Sequence, residues 1–294
     1  MTEPLLTPAM MRRLDRLAVA ARGPHAGRMQ GERRGPRQGR SVEFADFRPY
    51  AAGDDLRQVD WNAYARLDRF FLKLFVEEED ATVHLLVDTS RSMAWGEPPK
   101  LDFARRVAAA VGYVALARLE WLSVAAFDAT LAAPSRPARG RGAVGRLVGR
   151  LEALEAGGRT DLAGAMARYV ASIRRPGPML VLSDLYDAGW REALRGAVGA
   201  GYDLTVVHVL SPEEVMPELE GDLRLVDDET GEAVEVSAEG DTLDRYRAAL
   251  AAWQRQIGAW CRARGVPYVP VTTDVGIEAF VVGGLRRGGV LVGR

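Results

Sequence analysis

Several apolar runs in this chain lack the polar alternation of a half-exposed strand, and each is separated from the next by residues at helical spacing. "TVHLLVD" (82–88), "LSVAAFD" (122–128), "PMLVLSD" (178–184), "DLTVVHVL" (203–210) and "PYVPV" (267–271) are such runs. Residues 100–120 place Ala104, Val107, Ala108, Val111 and Ala115 at helical spacing, and 141–155, 162–173, 190–198 and 242–264 also read as helices. Strands apolar on both faces must be covered on both, and parallel neighbours need crossover connections. The pattern predicts an α/β fold, a doubly wound, mostly parallel, Rossmann-like sheet flanked by helices.

Three segments stand outside this alternation. Residues 213–241 are strongly acidic, and "DLRLVDDETGEAVEV" reads as two short alternating strands around a turn, an inserted surface β-hairpin. Residues 1–40 combine a short amphipathic stretch, 5–20, with "RGPHAGRMQGERRGPRQGR", a basic linker by composition. Residues 41–80 carry aromatics, a Gly53-Asp54-Asp55 turn and a strand pattern over 70–76, so they are expected to pack on the main body as a separate segment. The α/β domain proper then spans 81–275, and 276–294 form a C-terminal tail.

A formal net charge of −1 gives no general attraction to polyanions or membranes. The single cysteine, Cys261, excludes an internal disulfide and a cysteine-rich zinc site, and reads as a buried helix residue in a reducing compartment. His84 and His208 lie inside strand-like runs, where packing is the simpler role. The start, "MTEPLLTPAMMRRLDRL", lacks a secretory pattern, and the run "VAAAVGYVALA" is too short to span a bilayer, which takes about 20 residues. A cytoplasmic protein without a membrane span is expected.

In such sheets ligands bind beyond the carboxyl ends of the strands. Asp88 ends the first apolar run, with Ser90 and Ser92 on the turn behind it, and Asp184 ends what counts as the fourth strand. In the common order 3-2-1-4-5-6 those two strands are neighbours. "GGRTDL" (157–162), a Gly-rich turn opening a helix, can bring the Thr160 hydroxyl to the same edge. Two carboxylates and three hydroxyls form a hard oxygen shell suited to Mg²⁺ or Mn²⁺, and less well to Ca²⁺. A purely structural role, with Asp88 capping a helix and the serines satisfying turn amides, is the alternative.

"DTSRSM", "GGRTDL" and "VLSD" resemble the three parts of the metal-ion-dependent adhesion site of von Willebrand factor A domains. That resemblance implies that Asp88, Ser90, Ser92, Thr160 and Asp184 are metal ligands, some through water. A second resemblance covers more of the chain. "GRSVEFADFRPYAAGDDLRQVDWNAYAR" before the A-like domain, "SMAWG" with Lys100, and Tyr246 and Trp253 on the last long helix are similar to the domain of unknown function 58 family, of bacterial type. It makes 41–80 a family-specific segment and implies MoxR-type AAA+ ATPases, or their clients, as partners.

The expected function is therefore a non-catalytic, metal-dependent protein-interaction module, an adaptor or co-chaperone whose partner donates a carboxylate to the cation. Trp95, in the loop after the site, is either a contact residue or core. One alternative is a metal-dependent phosphoester hydrolase, for which Asp161 and Asp187 are the spare acids; no histidine base or P-loop accompanies them. The other is a nucleic-acid adaptor using the Arg-rich linker, although no aromatic residue is interleaved there.

Overall fold

The computed structural model describes residues 4–22, 42–50, 59–61, 63–64, 69–77, 81–173, 175–227, 229, 231–238 and 240–293. Beyond Arg22, the basic linker lies outside them, as does the Gly53-Asp54-Asp55 turn. The chain divides into two compact units, residues 32–80 and the remainder.

The chain opens with α1 (Pro8–Leu14), whose N-terminus is capped by the Thr7 side chain, and β1 (Leu17–Val19). The amphipathic stretch expected over 5–20 thus splits into a short helix and a strand, because β-branched Val19 and its neighbours pair antiparallel with Leu291–Gly293 at the other end of the chain. The smaller unit holds β2 (Val42–Pro49) and β3 (Phe71–Glu77), paired antiparallel with an irregularity between Phe44 and Asp46. Within it Tyr64 stacks on Phe70 at 4.4 Å, and Trp61 and Tyr50 meet Phe70 edge-on.

The main sheet is built from β4 (Thr82–Asp88), β5 (Trp121–Phe127), β6 (Pro178–Ser183), β7 (Asp203–Leu210) and, after a hairpin of β8 (Gly221–Val226) and β9 (Ala233–Ala238), β10 (Tyr268–Thr272). All pairings in it are parallel, in the spatial order β10-β7-β6-β4-β5. The helices are α2 (Lys100–Ala117), α3 (Val144–Glu152), α4 (Leu162–Ser172), α5 (Trp190–Gly199), the single turn α6 (Pro212–Val215) and α7 (Gly240–Arg262).

The side-chain alternation along each strand divides the core into two layers. Val83, Leu85, Val87, Leu180, Leu182, Val207 and Val209 face α1, α2, α3 and the C-terminal segment. Leu86, Phe127, Met179, Val181 and Val206 face α4, α5 and α7. Burying each Val, Leu or Phe of this kind stabilises the fold by roughly 1.5–3 kcal/mol, which explains why these strands tolerate no polar alternation. The Ala-rich α2 can lie close to its neighbours. At Gly112, in its middle, a Cβ would stand 2.7 Å from a Leu147 methyl of α3, so glycine lets the two helices cross here without displacing that side chain. In the C-terminal tail, Phe280, Val281, Leu285 and Leu291 belong to the core layer that contains α2.

The sequence-based strand count needs one correction. Residues 129–177 contribute no strand to the main sheet, so β6 is its third strand rather than its fourth, and the order is 2-1-3-4-5 instead of 3-2-1-4-5-6. The consequence for the site survives, because β4 and β6 are direct neighbours and the chain reverses its direction of winding between them.

Candidate metal centre

Asp88 is the last residue of β4 and is fully buried. Its Oδ1 accepts the Ser90 N–H at 2.9 Å, which folds the chain into a tight turn, and its Oδ2 accepts the Ser183 hydroxyl at 2.5 Å. Ser90 is also buried, and its Oγ lies 3.0 Å from Ser92 Oγ on the following helical turn, Arg91–Ala94. The three residues of the first motif therefore converge. Asp184, also fully buried, follows β6 directly; its Oδ1 accepts the Tyr186 N–H. Burial, reinforced by the negative charge of Asp184, pushes the Asp88 carboxyl up to about 7.

Thr160 is carried by a loop stitched to the first turn through backbone hydrogen bonds. Gly157 N–H donates to Thr89 O at 2.8 Å and Arg91 N–H to Gly158 O at 3.0 Å. Gly158 has φ +76, and a Cβ there would approach Asp128 Oδ2 to 2.9 Å, so glycine is what lets the loop lie this close. Thr160 itself is engaged elsewhere: its N–H and hydroxyl both donate to the carboxylate of Glu229, in the turn of the acidic hairpin, each at 2.9 Å.

Asp184 has a partner that the sequence reading did not include. Lys100, at the start of α2, is completely buried, with Nζ 2.7 Å from Asp184 Oδ2 and 2.5 Å from Glu214 Oε1. Burial pulls the Lys100 ammonium down, but the charges of Asp184 and Glu214 outweigh it and hold its pKa above the ordinary value. Burial raises Glu214, against the lowering by Lys100. Glu214 is oriented by a capping box in which Ser211 N–H donates to its side chain and its own N–H reaches Ser211 Oγ.

An aromatic wall closes this pocket. The Tyr186 ring lies 5.1 Å from Lys100 Nζ and stacks on Trp253, while the Tyr246 hydroxyl donates to Glu214 O. His208 packs edge-on against Trp253, with Nε2 2.8 Å from Asp184 O and Nδ1 2.6 Å from the Tyr268 hydroxyl. Burial drives its imidazole down to about 4. His208 and His84 are thus buried packing residues with hydrogen-bond partners, His84 joining Tyr169 and Arg175 O. Cys261 is buried on α7.

Lys100, Tyr246 and Trp253, noted in the sequence without a role, meet around Asp184. Ser183 and Glu214 were missed altogether. The capping-box spacing of Ser211 and Glu214 was readable, but nothing local indicated that Glu214 faces a buried lysine.

The donor set suits a hard divalent cation. Asp88, Asp184 and Glu214 against Lys100 leave two negative charges in excess when all are ionised, and among the described residues Asp88 accepts from the Ser90 N–H and the Ser183 hydroxyl, neither of them cationic. Among the described residues no group of three or more His, Cys, Asp or Glu is arranged to hold a metal ion, so a cation here would depend on hydroxyl donors as well. Asp88, Ser90 and Ser92 would hold it directly or through water, with Asp184 and Thr160 beside them.

The spare acids have structural duties. Asp161 caps α4 by accepting the Gly164 N–H, and Asp187 accepts the N–H groups of Leu162 and Gly189. Trp95 is 61% exposed, so it is not a core residue. No helix among the described residues is long and apolar enough to cross a membrane.

Uncharacterized proteins of Mycobacterium bovis and Mycobacterium tuberculosis are each 29% identical to this chain over 97% of its length and 92% of theirs. Among solved structures, the conserved hypothetical protein BatB of Bacteroides thetaiotaomicron is similar with a TM-score of 0.42 and 15% identity, over 71% of this chain and 98% of that one. A von Willebrand factor type A structure from Catenulispora acidiphila is similar with a TM-score of 0.40 and 12% identity, over 72% of this chain and 42% of that one. Residues 46–256 match the family described as "Protein of unknown function DUF58", and the chain belongs to that family.

Proposed function

We propose that the protein is a divalent-metal-dependent protein-interaction module, with Mg²⁺ or Mn²⁺ held at the carboxyl edge of the sheet by Asp88, Ser90 and Ser92 and assisted by Thr160 and Asp184. The observation that carries this reading is the buried Asp88 carboxylate at the head of a tight turn, which brings the paired hydroxyls of Ser90 and Ser92 to the same edge as a second buried carboxylate, Asp184. A cation held by so few charged ligands keeps net positive charge and open or water-filled positions, which a carboxylate from another protein can take.

Binding rather than turnover is favoured by the surroundings. Asp161 and Asp187 are tied up as caps, and His208 is turned to Tyr268 and a backbone carbonyl. The clefts lined by Leu116, Leu122 and Arg146, by His84 and Arg175, and by Val19 and Val290 contain none of the site residues. Exposed Trp95 follows the metal-binding turn directly and offers an apolar anchor next to the cation.

The similarity of the sequence motifs to those of a MoxR-associated family makes a MoxR-type AAA+ ATPase, or its client, the partner of choice, with this chain as its adaptor. The test is pull-down of that ATPase with the wild-type chain and Asp88→Asn, each with magnesium and with chelator. Capture that needs both Asp88 and the metal supports the reading; capture indifferent to both overturns it.

A further inference from the structure

The acidic hairpin ends in a turn organised by its own backbone. Asp227 Oδ1 accepts the Glu229 N–H at 2.8 Å, Gly231 N–H donates to Asp227 O and Asp227 N–H to Glu232 O, so the turn holds its shape while pointing Glu229 away from itself. The Glu229 carboxylate then straddles Thr160: Oε2 accepts the backbone N–H and Oε1 the hydroxyl, each at 2.9 Å. Two donors spaced for one carboxylate, on the loop stitched to the Asp88 turn, make a cradle shaped for an acidic side chain.

The hairpin is otherwise loosely supported. It is a two-stranded sheet of its own, marginal in isolation, and the cross-strand pair Leu225 and Val234 on it is exposed, at 46% and 61%. An element with so little buried surface can leave its seat at small cost.

We propose that the hairpin is an intramolecular ligand of the metal centre: Glu229 occupies the carboxylate-receiving cradle at Thr160, and a partner must present an acidic turn of the same kind and displace it. This rests on the metal-dependent reading above. The partner's recognition element is thereby specified as a Glu or Asp at the tip of a turn, and the free chain is self-occluded.

The test uses the full chain, as wild type and Glu229→Gln, and a labelled peptide of residues 220–240 as the acidic probe, in saturating magnesium. Releasing the cradle in the variant should raise peptide affinity by about tenfold to a hundredfold, the range of a lost charge-assisted hydrogen bond. Peptide carrying Glu229→Gln should bind neither chain. In parallel, hydrogen exchange at the Thr160 amide should accelerate by at least about tenfold in the variant chain, since that N–H loses its carboxylate. Equal peptide binding by both chains, or by neither, overturns the proposal. Magnesium titration of both chains separates the two failures. If both bind the ion but the peptide does not discriminate, only the hairpin's role is wrong; if neither binds it, the metal-dependent reading itself falls.

Discussion

Replacing Lys100 by Met tests the electrostatic frame of the site. The side chain is fully buried, and its ammonium contacts Asp184 at 2.7 Å and Glu214 at 2.5 Å, with those side chains 0% and 13% exposed. Methionine preserves much of the volume but strands two carboxylates without a counter-charge, for which about 3–5 kcal/mol is the usual cost. At about 2–4 °C per kcal/mol for a domain of this size, Tm should fall by about 6–20 °C. The loss should shrink as pH falls and Glu214, already raised by burial, protonates, and Lys100→Met/Glu214→Gln should be more stable than the single variant because one of the unpaired charges is gone. Urea and thermal unfolding followed by circular dichroism measure all three quantities. A destabilisation below about 1 kcal/mol, or a double variant no better than the single one, would refute the claim that Lys100 is the buried counter-charge of Asp184 and Glu214.

The pH dependence of stability should separate two opposed groups. Asp88 is raised to about 7 from 3.8, so its contribution is full below pH 3.8 and is lost as pH rises to 7; His208 is lowered to about 4 from 6.5, so its contribution is full above pH 6.5 and is lost as pH falls to 4. Each amounts to about 3–4 kcal/mol, so in urea titrations Asp88→Asn should gain stability from pH 4 to 6.5 relative to the wild type, and His208→Gln should lose it. Gly158→Ala forces a side chain into φ +76 against Asp128 and should cost about 1–3 kcal/mol while weakening magnesium binding, measured by unfolding and calorimetry. Trp95→Ala should leave stability within about 0.5 kcal/mol, because the ring is exposed, yet reduce capture of the ATPase partner in the pull-down.

The elements legible in the sequence were those whose burial is uniform. β4, β6 and β7 announce themselves because both faces are covered, and α2 and α4 because their apolar residues recur at helical spacing. The convergence of Asp88, Ser90 and Ser92 was legible too, since it depends on a turn of a few residues. What escaped were long-range choices. The order of the strands across the sheet cannot be read from local periodicity, and the order taken as common, 3-2-1-4-5-6, is not the one found. The pairing of β1 with β11 (Leu291–Gly293) joins three-residue segments from opposite ends of the chain, too short to carry a period. Lys100 had no role assignable from the sequence, because only tertiary packing brings Asp184 and Glu214 to its ammonium. Glu229 was one acid among many in an acidic hairpin until the fold set it on Thr160.

Calorimetric titration of Mg²⁺ and Mn²⁺ into metal-stripped protein decides whether the Asp88 turn binds a divalent cation. The wild type should bind near one equivalent, and Asp88→Asn, shown to be folded by circular dichroism, should bind none. Absence of binding by the wild type, or equal binding by the variant, would contradict the metal-dependent reading and leave Asp88 and its serines as braces of the turn.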